Sequence, residues 1–225
     1  MARVILFDFE PGTLSEAQLA QVRALAPDMH LLVTRDRAQI EAVLDEIEIA
    51  VGGFPHDLLS RARNLRWYQQ WAAGADWLLR PPEAADLDFV LTSASGVHPI
   101  PITEHVFAML LAFARRLCQA VRAQERHEWI RHDRINDLCE LHGKTLALVG
   151  VGAIGARTAE VARAFGMRVL GVRRNPEQGA PGVEAMFGPH RLLGVLPEAD
   201  FVVLILPLAQ GTRDVIGVGE LRGMK

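Results

Sequence analysis

The sequence predicts an α/β protein built on parallel sheets and divided into two domains, residues 1–96 and 97–225. Three observations carry that expectation. Apolar runs of strand length alternate with stretches of helical spacing, which is the order of a parallel sheet covered on both faces. Two X-Pro steps, His98-Pro99 and Ile100-Pro101, punctuate the middle of the chain. A glycine pattern, Gly150-x-Gly152-x-x-Gly155, follows one apolar run and opens a helix-spaced segment.

Residues 4–9 read as a buried first strand. Residues 14–26 place Leu14, Leu19, Val22 and Leu25 on one helical face, with Ser15 to start the helix and Pro27 to close it. A short strand at 31–33 and a helix at 38–44 follow, then a strand at 47–51 that ends in Gly52-Gly53. Leu58-Leu59 marks a short helix, and residues 65–69 and 89–91 read as two further strands. From Ser93 to Pro101 the prolines restrain their own φ and bias the preceding residues to extended backbone, which predicts a linker.

A long helix is expected over 103–124. Val106, Leu110, Phe113, Leu117 and Val121 recur every three to four residues, and Met109, Leu111 and Ala114 widen the stripe, so this helix is expected to be well buried. Residues 126–141 are mostly polar and charged, with Trp129 and Ile135 among their few apolar residues, as in a surface arm or partner contact. The glycine segment predicts a strand from 144, a tight turn and a helix over 153–165. A strand at 168–172, a loop, a helix at 192–196, a buried strand at 200–206 and a helical connection over 212–224 complete the reading.

Composition narrows the function. Half of the 225 residues are apolar and 23% are charged, the mix of a globular chain and not of a disordered one. A net charge of −3 gives no basic excess for nucleic acid and no polybasic segment for a membrane surface. No uncharged apolar stretch approaches the ~18–20 residues that span a bilayer. Cys118 and Cys139 form no C-x-x-C pair, and the N-terminus lacks the apolar core of a signal peptide, so a cytoplasmic protein is expected. The eight histidines form no ligand cluster, and no metal is expected; His127 and His132 read as solvated.

The glycine pattern carries chemistry. Gly150 permits the turn, Gly152 lets backbone approach a pyrophosphate, and Gly155 lets the helix pack on the strand, while Ala153 and Ile154 begin the helix whose free N–H groups face the phosphates. The competing reading is a glycine-rich turn that merely packs a helix. At the end of the following strand an NAD site usually carries an acid for the ribose hydroxyl. Arg173 and Arg174 stand there instead, and a forked guanidinium suits a phosphate. NADP(H) is therefore the preferred cofactor, with NAD(H) as the alternative if both arginines are only solvated. Leu206 and Pro207 end a strand where an open sheet presents its ligand crevice.

Together these pieces resemble the D-isomer-specific 2-hydroxyacid dehydrogenases, above all the glyoxylate/hydroxypyruvate reductase-like branch. The matching stretches are Trp71-Ala-Ala-Gly-Ala-Asp76, Gly96-Val-His-Pro with Ile102-Thr-Glu-His105, Gly143-Lys-Thr-Leu through Gly155, Glu198-Ala-Asp-Phe-Val-Val with Leu206-Pro-Leu, and Gly211-Thr-Arg through Met224-Lys225. They run in the family's order over nearly the whole chain.

The resemblance implies a flavodoxin-like N-terminal domain and a Rossmann-type doubly wound sheet, the latter incomplete at the C-terminus, with an active-site cleft between them. It implies that amides of Ala73, Gly74 and Ala75 hold a substrate carboxylate, and that Thr103 and Thr212 join the cofactor site. It implies a homodimer through residues 103–138. The family's catalytic Arg, Glu and His all fall beyond the position matched by Lys225, so no residue of this sequence is matched to a catalytic role. The expected activity is hydride transfer between NAD(P)H and a small 2-keto or 2-hydroxy acid, with this chain alone inactive. The alternative is a non-catalytic NADP(H)-binding or regulatory protein.

Overall fold

The computed structural model describes residues 3–79, 88–130 and 138–225. The chain divides into two units, Met1–Ser95 and Gly96–Lys225.

In the first unit five parallel strands stand in the order β2-β1-β3-β4-β5, the flavodoxin-like order. They are β1 (Val4–Asp8), β2 (His30–Val33), β3 (Ile47–Gly52), β4 (Trp67–Gln70) and β5 (Val90–Ser93). Interior strand β1 has Val4, Ile5 and Leu6 all buried, as a strand covered on both faces requires. Helix α1 (Glu16–Leu25) begins at Ser15, whose hydroxyl accepts the Gln18 N–H while its own N–H donates to Gln18 Oε1. This reciprocal cap satisfies two of the donors that a helix start leaves open. Helix α2 (Arg37–Ala42) is capped by the Asp36 carboxylate. Along the register, Asp8 pairs with Gly52 and Gly52 with Gln70, so the carboxyl ends of β1, β3 and β4 are level.

In the second unit four parallel strands stand in the order β8-β7-β6-β9. They are β6 (Thr145–Val149), β7 (Arg168–Val172), β8 (Ala185–Phe187) and β9 (Phe201–Leu204). In chain order that is 3-2-1-4, the order of a Rossmann-type doubly wound sheet up to its fourth strand. Every residue of β6 is buried, and separate apolar clusters cover the sheet's two faces, one around Leu148 and Met167 and the other around Val149 and Leu196. The loop expected before residue 192 contains β8, whose half-buried Ala185, Met186 and Phe187 give no strong apolar run. Helix α6 (Leu192–Val195) follows it.

Several expectations are corrected. The prolines do not form a linker up to residue 101; helix α3 spans Pro99–Ala114 with Pro99 and Pro101 in its first turn. First-turn N–H groups have no partner within a helix, so proline loses nothing there. The single helix over 103–124 is two, α3 and α4 (Leu117–Glu125), broken at Arg116, which is left-handed at φ 51°. The Ala114 carbonyl accepts the Cys139 N–H instead of extending α3. The stripe is only half buried: Val106, Phe107 and Ala114 pack inward, but Phe113 is 79% exposed and Met109, Leu117 and Val121 face outward with Trp129. A groove of about 680 Å³ lies along Leu117, Val121 and Trp129.

The strand expected as buried over 200–206 is β9, a half-exposed edge strand with Leu204 51% exposed. The connection at 212–224 contains only helix α7 (Val218–Arg222) after a turn at Gln210–Thr212. His132, Ile135 and part of the proposed dimer segment lie outside the described residues. Among the described residues no helix is long and apolar enough to cross a membrane, and no group of three or more His, Cys, Asp or Glu could hold a metal ion.

Candidate functional site

The second unit's site begins at the end of β6, which pairs with β7 on one side and β9 on the other, so that the strand order reverses there. This is the topological switch point, where open α/β sheets place ligands. Gly150 stands there at φ +103°, and a Cβ on it would lie 2.2 Å from the Ile205 carbonyl oxygen. A Cβ on Gly155 would lie 2.5 Å from the Gly150 carbonyl oxygen. Both glycines are therefore compelled by backbone approach.

Gly152 differs: a Cβ there would meet nothing within 4 Å. It is the N-cap of α5 (Ala153–Ala164) and supplies no side-chain cap. The N–H groups of Ala153, Ile154 and Gly155 have no acceptor among the described residues. Three open donors at the positive end of a twelve-residue helix, with space above a bare glycine, fit a diphosphate.

The other expected cofactor residues fall into distinct places. Leu206 reaches the glycine turn, with a methyl carbon 3.1 Å from where a Gly150 Cβ would stand. Pro207 follows it. Thr212 donates its hydroxyl to the Pro207 carbonyl and accepts the Ala209 N–H, so it closes the 207–212 loop on itself. Thr103 is 2% exposed, and its hydroxyl meets that of Thr158 at 3.1 Å. Since Thr158 donates to the Ile154 carbonyl, the single proton of Thr103 goes to Thr158. Thr103 thus ties α3 to α5 through Thr158, which in turn bonds the helix's first turn at Ile154. Arg173 donates to both oxygens of Gln178, while Arg174 is exposed and makes no hydrogen bond or ion pair among the described residues.

The first unit carries its own cluster at the ends of β1, β3 and β4. Residues 71–75 follow β4 and lie at the surface. The N–H groups of Ala73, Gly74 and Ala75 have no acceptor among the described residues. Consecutive open amides in a tight loop make an anion-binding concavity. Beneath them Gln70 is buried and bonds back to the loop. Tyr68 is buried too; burial, then the nearby Asp8 charge, pushes its phenol up to about 12, so it stays protonated and donates to the Gly52 carbonyl. Burial raises the Asp8 carboxyl above its usual range, although Arg35 pulls the other way. Sequence reasoning missed Gln70, Thr158 and Asp8, which belong to no recognised motif.

A doubly wound sheet with a glycine turn at its switch point is how a dinucleotide-binding domain is built, here joined to a flavodoxin-like unit. The chain belongs to the D-isomer specific 2-hydroxyacid dehydrogenase family, whose NAD binding domain matches residues 107–225. This bears out the resemblance read from the collinear motifs. The glyoxylate reductase of Aeropyrum pernix is 36% identical over 176 residues, covering 75% of this chain and 51% of that protein.

Among solved structures, a D-isomer specific 2-hydroxyacid dehydrogenase family protein from Aeromonas salmonicida has a TM-score of 0.78 at 26% identity, covering 98% of this chain and 76% of that one. The NADPH-dependent glyoxylate/hydroxypyruvate reductase of Sinorhizobium meliloti, solved with NADP and sulfate, has a TM-score of 0.77 at 25% identity, covering 100% and 68%. The chain spans about half the length of the curated relatives it matches. These relatives are named as enzymes and give the non-catalytic alternative no support.

Proposed function

We propose that this chain forms the cofactor-holding and carboxylate-holding part of a nicotinamide-dependent reductase of small 2-keto acids, of the glyoxylate or hydroxypyruvate kind. The observation that carries the proposal is the set of three open N–H groups at Ala153, Ile154 and Gly155 beside a bare Gly152. They would hold the diphosphate. Leu206 and Pro207 would flank the cofactor, and Arg174 would take the ribose phosphate, since Arg173 is already engaged by Gln178.

When bound, the nicotinamide supplies a hydride to a keto carbon. The amides at 73–75 would hold the keto acid's carboxylate. The developing alkoxide also needs a cation and a proton donor. On this reading the chain binds both ligands. The reading also includes a cytoplasmic setting, for which both cysteines are free thiols, and a homodimer through 103–138, supported by the outward Met109, Phe113, Leu117 and Val121.

Titration calorimetry of the chain with NADPH and with NADH tests the cofactor half. NADPH is expected to bind more tightly, and Arg174→Ser to weaken NADPH by about tenfold or more while leaving NADH unchanged. No heat with either cofactor would end the proposal. Tighter NADH binding would end the NADP(H) preference. NADPH absorbance in the presence of glyoxylate checks turnover.

A further inference from the structure

Gln70 closes β4 with 2% of its surface exposed. Its amide nitrogen donates to the carbonyls of Ala72, at 2.9 Å, and Gly74, at 2.6 Å. Its Oε1 accepts the indole N–H of Trp77 at 2.8 Å. Carbonyls only accept and an indole only donates, so the amide fits this place in one orientation. The Trp77 ring is stacked on His56, centroids 4.0 Å apart and 18° from parallel, which holds the donor in place.

A trans peptide is planar, and its C=O and N–H point in opposite directions. Drawing the Ala72 and Gly74 carbonyls down to Gln70 therefore turns the N–H groups of Ala73 and Ala75 the other way. No peptide here is cis, and neither N–H finds an acceptor among the described residues. We infer that Gln70 is a positioning residue for the carboxylate of the substrate: it withdraws two carbonyls that would repel an anion and so presents the Ala73 and Ala75 amides as a matched pair of donors. This rests on the reading of 73–75 as a carboxylate cradle and deepens it. Two amides, two apart in sequence, suit the two oxygens of one carboxylate. The bonds within the loop are already made, so the donors need no rearrangement when the anion arrives.

The test is amide NMR on the ¹⁵N-labelled chain titrated with oxamate, an unreactive analogue of a small 2-keto acid. The Ala73 and Ala75 resonances are expected to move most and to saturate together. Gln70→Met keeps the bulk but removes both donors, and is expected to raise the oxamate Kd about tenfold. Trp77→Phe keeps a ring against His56 but removes the N–H that sets the amide's orientation, and is expected to raise it severalfold. NADPH binding, held by the other unit, is expected to be unchanged in both variants.

A wild-type chain whose 73–75 amides ignore oxamate overturns the cradle, and the Gln70 role with it. A wild-type chain that responds, with both variants binding oxamate equally well, overturns the Gln70 role and leaves the cradle standing. Should Gln70→Met fail to fold, Trp77→Phe decides between these outcomes.

Discussion

Gly150 and Gly152 make opposite demands although they stand two residues apart. An alanine at 150 would be forced into left-handed backbone with its Cβ 2.2 Å from a carbonyl oxygen. Gly150→Ala is expected to cost about 3 kcal/mol of stability, seen as a lower denaturant midpoint. Gly152 has neither constraint, and Gly152→Ala is expected to leave the midpoint nearly unchanged while weakening NADPH at least tenfold, because the methyl group stands where phosphate would approach. Calorimetry and urea unfolding on the two variants separate these outcomes. These glycines were legible because the missing side chain is itself the signal. Gln70 and Thr158 were not, because glutamine in a strand or threonine in a helix acquires its role only from what the fold places beside it.

The β6–α5–β7 run was readable because its apolar periods and its turn chemistry agree. The division of α3 from α4 was not: the apolar stripe runs on unbroken through Leu117 and Val121, and the break comes from the distant Cys139 N–H and a left-handed Arg116. Strand β9 is held at its start by Asp200, whose carboxylate accepts the Thr145 N–H and pairs with Lys225. Burial pushes this carboxyl up, but the Thr145 N–H and the Lys225 ammonium outweigh it and hold it below the usual range. A depressed carboxyl stabilises the fold above its unfolded pKa of about 3.9, and that stability is lost as pH falls through the lower folded value. Asp200→Ala is therefore expected to lose about 1–2 kcal/mol at neutral pH. Urea unfolding across pH checks this: the gap between wild type and variant should close below about pH 3.9.

At the scale of the molecule, family membership was the most legible feature, because several motifs in fixed order span both units. The exposure of the α3–α4 face was not, since a lone sequence does not distinguish a stripe buried in its own core from one buried against a second copy. Phe113 at 79% exposure is a large apolar side chain left to water. Sedimentation velocity is expected to find a concentration-dependent dimer. Phe113→Glu is expected to shift it to monomer, at a cost of about 2 kcal/mol or more, roughly thirtyfold in Kd. A wild-type chain that sediments as monomer at every concentration would remove the proposed interface.

The outer rim of β9 is an open seam. That strand pairs only with β6 among the described residues, and Leu204 sits bare upon it. Its remaining backbone groups are ready to zip with any extended segment that arrives. A cognate strand laid there would carry the winding onward in the direction already begun. An extended segment of another chain meets the same unpaired groups there.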